Sequence, residues 1–583
     1  MKEQIIQAIA DAINSLSEEG KISEPFNGNI QVTRSKDPSH GDYASNIALV
    51  FAKKIGLNPR EFAQHLSDKL ESHTIFEKID IAGPGFINFF IAEKNHTQII
   101  QQILSAKDNF GQNQSGANQS IHIEYVSANP TGPLHVGHGR GAAYGATLAN
   151  LYKANGFTVH REYYVNDAGR QMDILATSVW LRYLELCGAE LAFPSNGYKG
   201  DYIWDIAASV HRKHSESYFT DPASFVSELP TDEPQGGDKE QHIDALILTA
   251  KRLLNEDGYA IFFDRAIETI LADIKDDLHL FGVDYENWYS EKSLFNSDKI
   301  HNVIEQLKQS KHIYEKNGAL WFASSTLGDE KDRVVVRDNG QPTYFASDIA
   351  YHADKFSHAY DKIINIWGAD HHGYIARVRA ALKALALDDS KLDVLLVQFA
   401  NLYRGKVKQQ MSTRSGEFIT LRALRKEVGS DAARFFYVMR KSEQHLDFDL
   451  ELATSNSNEN PMYYVQYAHA RICSVLKQAD HPLNIDDINS LDELLNTDNE
   501  HELMKKLADY PEQILSACNK QAPHLLVNYL RELAQKFHGY YNETQFLVDS
   551  DALRNARLLL IESTRQVIAN GLTLLGVNAP ESM

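Results

Sequence analysis

Apolar residues near the N-terminus recur at helical spacing. A helix over Gln4–Leu16 would place Ile5, Ile9, Ile13 and Leu16 on one face. The same spacing predicts two further helices, and alternating or continuous apolar runs predict two strands; these segments are Tyr43–Ile55, Pro59–Leu70, Ile79–Ile81 and Phe86–Ile91. We therefore expect residues 1–107 to form a small α+β domain.

Two polar stretches divide the rest of the chain. Residues 108–120 and 453–461 contain few apolar side chains and are predicted to be linkers. Between them, in residues 121–452, strand-like and helical runs alternate, which indicates an α/β domain with a parallel sheet. Its strand candidates include Ile121–Val126, Val334–Val336 and Lys362–Trp367, and Ser227–Gln241 is expected to be an exposed loop. Residues 462–583 have helical spacing throughout and are predicted to form an all-α domain.

Composition excludes several classes of protein. The chain of 583 residues is 43% hydrophobic and 23% charged, as in proteins that fold around buried cores. No run approaches the ~18 consecutive apolar residues of a membrane span, so we expect no membrane association. The three cysteines lie far apart and the N-terminus lacks the features of a targeting segment, so a reducing, cytoplasmic location is expected.

Net charge argues against general attraction to nucleic acid, since the chain carries −20 at neutral pH. Residues 401–445 differ, because they contain ten Lys or Arg and four Asp or Glu. This local excess suggests a bounded phosphate site. A solvated helix face would have the same composition, and charge alone does not separate the two.

The most informative segment is Ile121–Ala142, in which a short apolar strand leads through Asn-Pro-Thr-Gly-Pro into His135-Val136-Gly137-His138. A helix that begins there would present backbone amides and a partial positive charge to phosphate. His135 and His138 would share one face, and Gly137 would let a flat base approach the backbone. An isolated histidine pair at this spacing is usually an incidental surface pair, and a metal site would need a third ligand that the segment does not offer.

This segment closely resembles the HIGH signature of class I aminoacyl-tRNA synthetases. Further segments resemble arginyl-tRNA synthetases in that family's order along the chain: His40–Asn46, Gly83–Phe89, Tyr163–Met172, Thr343–His352, Trp367–Tyr374, Met411–Gly416, Tyr463–Ser474 and Asn570–Met583. The resemblance implies a multidomain α/β fold with a Rossmann-like catalytic domain and an all-α helical bundle at the C-terminus. It also implies an arginine–tRNA ligase that forms arginyl-adenylate from ATP and transfers the arginyl group to tRNA(Arg).

The resemblance assigns ATP to His135, Gly137, His138, Met411, Ser412 and Arg414, with Mg²⁺ accompanying the nucleotide and no structural zinc or other protein-bound metal. His135, His138 and Arg414 are the expected catalytic groups, because positioning and charge stabilisation dominate phosphoryl chemistry. The family's usual KMSKS lysines are absent, since residues 410–414 read QMSTR. Arg414 is the favoured replacement because guanidinium binds phosphate bidentately. Lys406 and Lys408 are alternatives, and the interpretation that all three are solvated loop residues has equal weight.

The resemblance assigns arginine recognition to Glu124, Asn129, Tyr344, Asp348, Asp370 and His371. Carboxylates suit this task because guanidinium is planar and offers five donors in a fixed geometry. Asp348 is expected to pair with the guanidinium, and Tyr344 to pack beside it. Glu124 is expected to be the second carboxylate, and Asn129 to hold the amino or carboxylate end of the substrate. Asp370 and His371 are expected along the shared arginine and ATP pocket.

Two regions are expected to contact tRNA. Asn88 and Phe90 lie in the N-terminal segment that resembles the module for the tRNA elbow, and Tyr463 and Arg471 lie in the segment that resembles the anticodon-binding domain. Residues 461–583 carry ten Lys or Arg and sixteen Asp or Glu, so recognition there would depend on shape and stacking. The neighbouring Tyr464 and Tyr467 are expected to be core residues.

Two other functions compete with the ligase. A different adenylate-forming nucleotidyltransferase would explain Ile121–Ala142 but gives no purpose to Tyr344, Asp348 or the two end domains. A non-catalytic RNA-binding relative would explain the missing loop lysines but not the intact histidines. A monomer is the expected oligomeric state.

Overall fold

The computed structural model describes residues 2–22, 28–35, 37–91, 97–409, 419–479, 483 and 491–583. The N-terminal unit contains three helices and an antiparallel sheet of order β1-β2-β4-β3. In chain order its elements are α1 (Lys2–Glu18), β1 (Val32–Arg34), β2 (Tyr43–Ser45), α2 (Ile47–Ile55), α3 (Pro59–Leu70), β3 (Phe76–Ala82) and β4 (Phe86–Ile91). These elements enclose a separate apolar core that includes Ile9, Phe51, Phe62 and Phe89.

The prediction of a helix over Tyr43–Ile55 is wrong for its first residues, which form strand β2. Tyr43 and Ser45 are buried while Ala44 between them is half-buried, and the three residues pair with Ile87–Phe89 of β4. This alternation is that of a strand covering a core. The helix begins only at Ile47, after Asn46.

A five-stranded parallel sheet of order β12-β11-β5-β6-β7 forms the centre of the molecule. Its first part comprises α4 (Gln98–Ala106), β5 (Ser120–Tyr125), α5 (Val136–Ala154), β6 (Thr158–Val165), α6 (Arg170–Leu186), α7 (Asp201–His214), α8 (Lys239–Leu280) and β7 (Asn287–Ser290). Its second part begins later in the chain with β11 (Lys362–Gly368), α12 (Tyr374–Ala384) and β12 (Leu392–Val397). The order reverses between β5 and β11, and crevices at the carboxyl ends of such strands are where α/β folds bind ligands.

Two smaller sheets flank this centre. The first has the order β10-β9-β8 and packs with helices over a core that includes Phe322 and Phe345. Its elements are α9 (Lys292–Phe295), α10 (Lys299–Gln309), β8 (Ile313–Lys316), β9 (Ala319–Phe322), β10 (Arg333–Val336) and α11 (Tyr344–Ser357). The second has the order β14-β13-β15, with β13 (Ala400–Arg404), β14 (Val407–Lys408), α13 (Leu421–Val428), α14 (Ser430–Val438), β15 (Leu446–Asp449) and α15 (Leu450–Thr454).

The C-terminal region is helical and shares one continuous core with the central sheet. It contains α16 (Pro461–Gln478), α17 (Leu491–Leu494), α18 (Asp498–Ala508), α19 (Tyr510–Asn519), α20 (His524–Glu543) and α21 (Asp551–Leu575). The start of the predicted linker 108–120 is hydrogen-bonded to helix α21 of the C-terminal region. Asp108 accepts a hydrogen bond from Gln566, and the side-chain amide of Asn570 donates to the carbonyl of Lys107 at 2.9 Å. None of the helices in the described ranges is both long and apolar enough to cross a membrane.

Candidate active site

The HVGH segment begins helix α5 at the carboxyl end of β5. His135 has extended backbone angles and caps the helix, since its Nδ1 accepts a hydrogen bond from the amide of Gly137 at 3.1 Å. His138 Nδ1 faces the amide of His135 at 3.3 Å, which completes a reciprocal capping arrangement. The two imidazole rings stack with centroids 3.6 Å apart. The expectation that unpaired amides face a phosphate is therefore wrong for Val136, Gly137 and His138, whose N–H groups already have acceptors.

The imidazoles are the polar groups that this arrangement offers to a ligand. Because Nδ1 accepts in both rings, each neutral ring carries its proton on Nε2. Burial lowers the pKa of His135, and burial together with the neighbouring His135 lowers the pKa of His138 to about 3. Both rings are therefore neutral hydrogen-bond donors at physiological pH.

Gly137 opens onto a cavity of about 340 Å³ beside the two histidines. A Cβ atom at this position would lie 2.9 Å from Cε1 of His135 and 3.3 Å from Cδ1 of Phe399. Asp370 and His371 line the same cavity, as exposed side chains 3.7 Å apart. Apolar residues such as Phe399 and polar residues such as Asn129 both line this cavity.

The chain that follows residue 418 is hydrogen-bonded to the HVGH segment. The amide of Val136 donates to the carbonyl of Ile419 at 3.1 Å, and the amide of Leu421 donates to the carbonyl of Leu134 at 2.8 Å. These two backbone hydrogen bonds connect the basic region, residues 401–445, to the segment that carries His135 and His138. Lys406 and Lys408 are exposed on the hairpin before it, and the predicted ATP residues Met411, Ser412 and Arg414 lie outside the described residues.

A group of buried carboxyls lies across β5, β7 and α11. Burial raises the pKa of Asp348 to about 7, with Glu124 adding to the rise, while a short hydrogen bond from the Tyr374 hydroxyl opposes it. Burial raises the pKa of Glu291 to about 7 as well, and the charges of Asp348 and Asp167 add to that rise. Glu291 is 2% exposed. Two carboxyls whose ionisation is opposed by burial and by neighbouring carboxylates form a site prepared for a cation.

Glu124 differs from these carboxyls because it has a buried cationic partner. Lys355 of α11 donates a short hydrogen bond to Oε2 of Glu124, and its ammonium also lies 2.9 Å from Oδ1 of Asn365. Ser127 donates to the other Glu124 oxygen at 2.9 Å. The pKa of Glu124 is lowered, since the charge and hydrogen bond of Lys355 outweigh burial. The sequence analysis did not anticipate this ion pair.

Tyr344 and Asn129 are placed at the edge of this site. The Tyr344 hydroxyl accepts a hydrogen bond from the amide of Arg170 at 3.1 Å. A Cβ atom on Gly169 would lie 2.6 Å from the same hydroxyl oxygen. The Tyr344 ring therefore covers the start of α6. Asn129 donates to Gln171 at 2.8 Å. Tyr344 and Asp348 lie one turn apart on α11, as predicted.

A larger cavity, of about 1,230 Å³, adjoins the histidines on the other side. One wall is the turn that carries Asn129 and Thr131, and the opposite wall comes from residues 195–202 together with Glu233, Lys239 and Glu240. Tyr202 joins the two walls, since its hydroxyl donates to the carbonyl of Thr131 at 2.6 Å. Both His135 and His138 line this cavity as well.

The residues predicted to contact tRNA lie on two elements, β4 of the N-terminal sheet and helix α16. Asn88 is 6% exposed within β4, which does not suit direct contact with RNA. Phe90 lines a cleft of about 200 Å³ between the N-terminal sheet and the C-terminal helices. Tyr463 stacks on Tyr467 with centroids 5.7 Å apart, and the Arg471 guanidinium lies 4.4 Å from the Tyr467 ring.

The C-terminal aromatic residues are less buried than the sequence analysis expected. Tyr464 and Tyr467 are half-buried, and both rings contact His538. Tyr464 packs against the edge of the main core, whereas the expectation that Tyr467 is a core residue is wrong.

Two polar residues of the site, Glu291 and Tyr374, were not singled out from the sequence. Glu291 directly follows β7, and a carboxylate at the carboxyl end of a predicted parallel strand is a usable signal. Its strand, Asn287–Ser290, is short and half-buried throughout, so it was not recognised. Tyr374 lies in a segment that the sequence analysis quoted, but nothing in its spacing distinguishes it from a packing residue.

Comparison with known proteins covers almost the whole chain. Residues 3–91 match the arginyl tRNA synthetase N terminal domain, residues 99–187 and 250–453 match the catalytic domain of tRNA synthetases class I (R), and residues 465–583 match the DALR anticodon binding domain. The arginine–tRNA ligases of Thioalkalivibrio sulfidiphilus and Legionella pneumophila (strain Paris) are 56% and 54% identical to it, with all of each chain covered. The solved arginyl-tRNA synthetase of Thermus thermophilus has the same fold, at a TM-score of 0.72 and 24% identity, with all of each chain covered. The chain belongs to the arginyl-tRNA synthetases, a family of class I aminoacyl-tRNA synthetases.

Proposed function

We propose that the protein is an arginine–tRNA ligase that uses Mg²⁺-ATP, L-arginine and tRNA(Arg) as substrates. A carboxylate oxygen of arginine attacks the α-phosphorus of ATP and pyrophosphate leaves. A ribose hydroxyl at the 3′ end of tRNA then attacks the acyl carbon and AMP leaves. The observation that carries the proposal is a pair of carboxyls with raised pKa values, Asp348 and Glu291, in the same fold as a neutral histidine pair that begins a helix at the carboxyl end of β5.

The histidine pair is proposed to bind the ATP phosphates. Each ring donates from Nε2, and a neutral donor held by backbone hydrogen bonds needs little reorganisation as charge develops on the phosphate. Gly137 and Phe399 are proposed to flank the adenine, because the cavity beside them is narrow and partly apolar. Asp370 and His371 line this cavity, whereas neither Asp348 nor Glu291 does. We therefore place Asp370 and His371 at the nucleotide end of the pocket.

Arginine recognition is proposed to rest on Asp348 and Glu291. A guanidinium carries one charge spread over five donors, so it can satisfy two carboxylates at once, whereas the lysine ammonium is a compact charge. Tyr374 orients Asp348 by donating to Oδ2, which leaves Oδ1 for the substrate. Glu124 is already paired with Lys355, so its proposed part is to set the local charge, with Ser127 and Asn129 nearer to the main-chain end of arginine.

The loop cation and the tRNA contacts rest on the family resemblance. Arg414 is proposed to hold the triphosphate in place of the absent lysines, and Arg414→Ala is expected to slow activation far more than it weakens arginine binding. Unchanged activation kinetics would refute this role.

Phe90, Tyr463 and Arg471 are proposed as tRNA contacts, whereas Asn88 is proposed to support the strand that carries Phe90. The protein is proposed to act as a monomer in the cytoplasm.

One assay tests the function. Purified protein with ATP, Mg²⁺ and a mixed tRNA fraction should attach radiolabelled arginine to acid-precipitable tRNA, and a tenfold excess of unlabelled lysine should leave the rate unchanged. ATP–pyrophosphate exchange without tRNA distinguishes this enzyme from another adenylate-forming transferase, because family members of this kind are expected to need tRNA for activation. Binding of tRNA without any charging would favour the non-catalytic relative.

A further inference from the structure

Two buried histidines lie behind the arginine site, and their hydrogen bonding differs. His352 is fully satisfied, because Nδ1 is 2.8 Å from the carbonyl of Asp348 and Nε2 is 2.9 Å from the side-chain amide of Asn365. His122 is 1% exposed, yet its Nδ1 makes no hydrogen bond to any described residue, while its Nε2 faces a carboxylate oxygen of Glu162. Native proteins leave few buried polar atoms in this state, so the His122 ring calls for a ligand.

The strand register gives His122 two neighbours with ligand atoms. His122 of β5 pairs with His160 of β6, and Glu162 follows two residues later on the same face of the sheet. The ligand atoms of these three side chains lie within 4.8 Å of one another. Nε2 of His122 is 3.1 Å from Oε1 of Glu162, and the two imidazole centroids are 5.7 Å apart.

We propose that His122, His160 and Glu162 bind a divalent transition-metal ion, of which Zn²⁺ is the best fit. Two imidazoles and one carboxylate are a common ligand set for zinc, with a water molecule in the fourth position. Ligands about 2.1 Å from a tetrahedral ion are about 3.4 Å apart, a spacing that these side chains reach by small rotations. His160 is half-buried, so its ring has the freedom to close the site and gives the ion a path from solvent.

The charge around the cluster favours a cation. The ionisable side chains that face His122 and Glu162 are Lys355, Glu124 and, within the same network, His352. Among these groups, Lys355 is one positive charge against the carboxylates of Glu124 and Glu162. A bound ion would offset the second carboxylate, that of Glu162, which also accepts hydrogen bonds from the neutral donors Tyr351 and Asn287.

The site would be structural and not catalytic. It lies toward the amino ends of β5 and β6, whereas HVGH and Ser127 lie at the carboxyl end of β5. The ion would crosslink β5 to β6 on the amino-terminal side of Glu124. The sequence analysis expected no metal because no third ligand follows the HVGH histidines, and the register of two strands supplies a different set of ligands.

Metal binding by the untagged full-length protein tests the proposal. Metal-free protein should bind one equivalent of Zn²⁺ in competition with a chromophoric chelator, and Co²⁺ should give the visible absorption bands of a tetrahedral site. His122→Val, His160→Thr and Glu162→Gln should each weaken Zn²⁺ binding at least 100-fold. His301→Gln, which removes an exposed histidine elsewhere, should leave it unchanged.

The outcomes separate the alternatives. Failure of the wild-type protein to bind one equivalent, or equal binding by wild type and all three variants, would overturn the proposal and assign any residual zinc to surface histidines. If His122→Val does not fold, the zinc affinity of His160→Thr tests the proposal instead. The His160 side chain is only half-buried, so we expect this variant to fold. These measurements do not depend on tRNA charging, so they stand or fall separately from the proposed function.

Discussion

The hydroxyl of Tyr374, the first residue of α12, donates a short hydrogen bond to Oδ2 of Asp348 on α11. This hydrogen bond favours the ionised carboxylate and opposes the effect of burial on its pKa. The Arg377 guanidinium lies 4.5 Å from the centre of the Tyr374 ring and holds the ring in place. The position of Asp348 therefore depends on residues beyond its own helix.

Replacing Tyr374 with Phe is expected to raise the KM for arginine about tenfold, since hydrogen bonds to charged groups contribute about 1.5–3 kcal/mol. Without the donor, the pKa of Asp348 rises further, so a smaller fraction is ionised at pH 7. The rise of kcat/KM for arginine with pH should then shift to higher pH. Steady-state charging between pH 6 and 9 measures both effects. An unchanged KM with an unchanged pH profile would assign Tyr374 to packing alone.

Arginine binding is expected to release protons near neutral pH. Asp348 and Glu291 have pKa values of about 7 in the unliganded protein, and a bound guanidinium favours their ionised forms. Both carboxyls are mostly protonated at pH 6, so affinity should increase as pH rises to 8. Calorimetry in buffers of different ionisation enthalpy counts the protons. Glu291→Gln should weaken binding about 100-fold, as loss of one partner of a buried charged contact does, and should reduce the release.

Gly137→Ala is expected to raise the KM for ATP at least tenfold with little loss of stability. The new methyl group would lie 2.9 Å from the His135 ring and would narrow the space beside Phe399. Gly141 is the matched control, because it lines the same cavity one turn later and a Cβ atom there meets nothing within 4 Å. ATP titrations of the two variants make the comparison. Equal effects of the two substitutions would contradict the assignment of this cavity to the nucleotide.

The buried Lys355–Glu124 pair should respond strongly to loss of one partner. Lys355→Met leaves the Glu124 carboxylate buried without its cation, and breaking such a pair reduces stability by about 3–5 kcal/mol. The double variant Glu124→Gln, Lys355→Met should recover more than half of that loss, because no charge is then left unpaired. Urea unfolding followed by fluorescence of the central domain measures the midpoints. A double variant as unstable as the single one would show that shape, and not charge, is decisive.

The parts of the site that could be predicted lie in contiguous segments. His135, Gly137 and His138 share one turn of helix, and Tyr344 and Asp348 share another, so local spacing was sufficient. Glu291 follows β7 and Tyr374 begins α12, so they reach the site only through tertiary packing, and Lys355 of α11 meets Glu124 of β5 in the same way.

The partners of the charged and polar groups in the site could likewise not be predicted from the sequence. A strand residue such as Glu124 can be exposed, paired with a substrate or paired with a lysine, and the choice depends on which residue of α11 faces it. The amides at the start of α5 looked available because helices generally begin with unpaired donors, but the Ile419 carbonyl and the His135 side chain occupy them.

Arg140, two residues after His138, is 1% exposed, and its guanidinium donates to the carbonyls of Gln398, Lys441 and Gln444 at 2.7–2.8 Å. Those acceptors are synthesised some three hundred residues after the helix that they hold. A nascent chain that ends before them carries a complete HVGH sequence but leaves a buried guanidinium without acceptors. We expect such fragments to be recognised as unfinished by proteases and chaperones, so that nucleotide binding begins only late in synthesis.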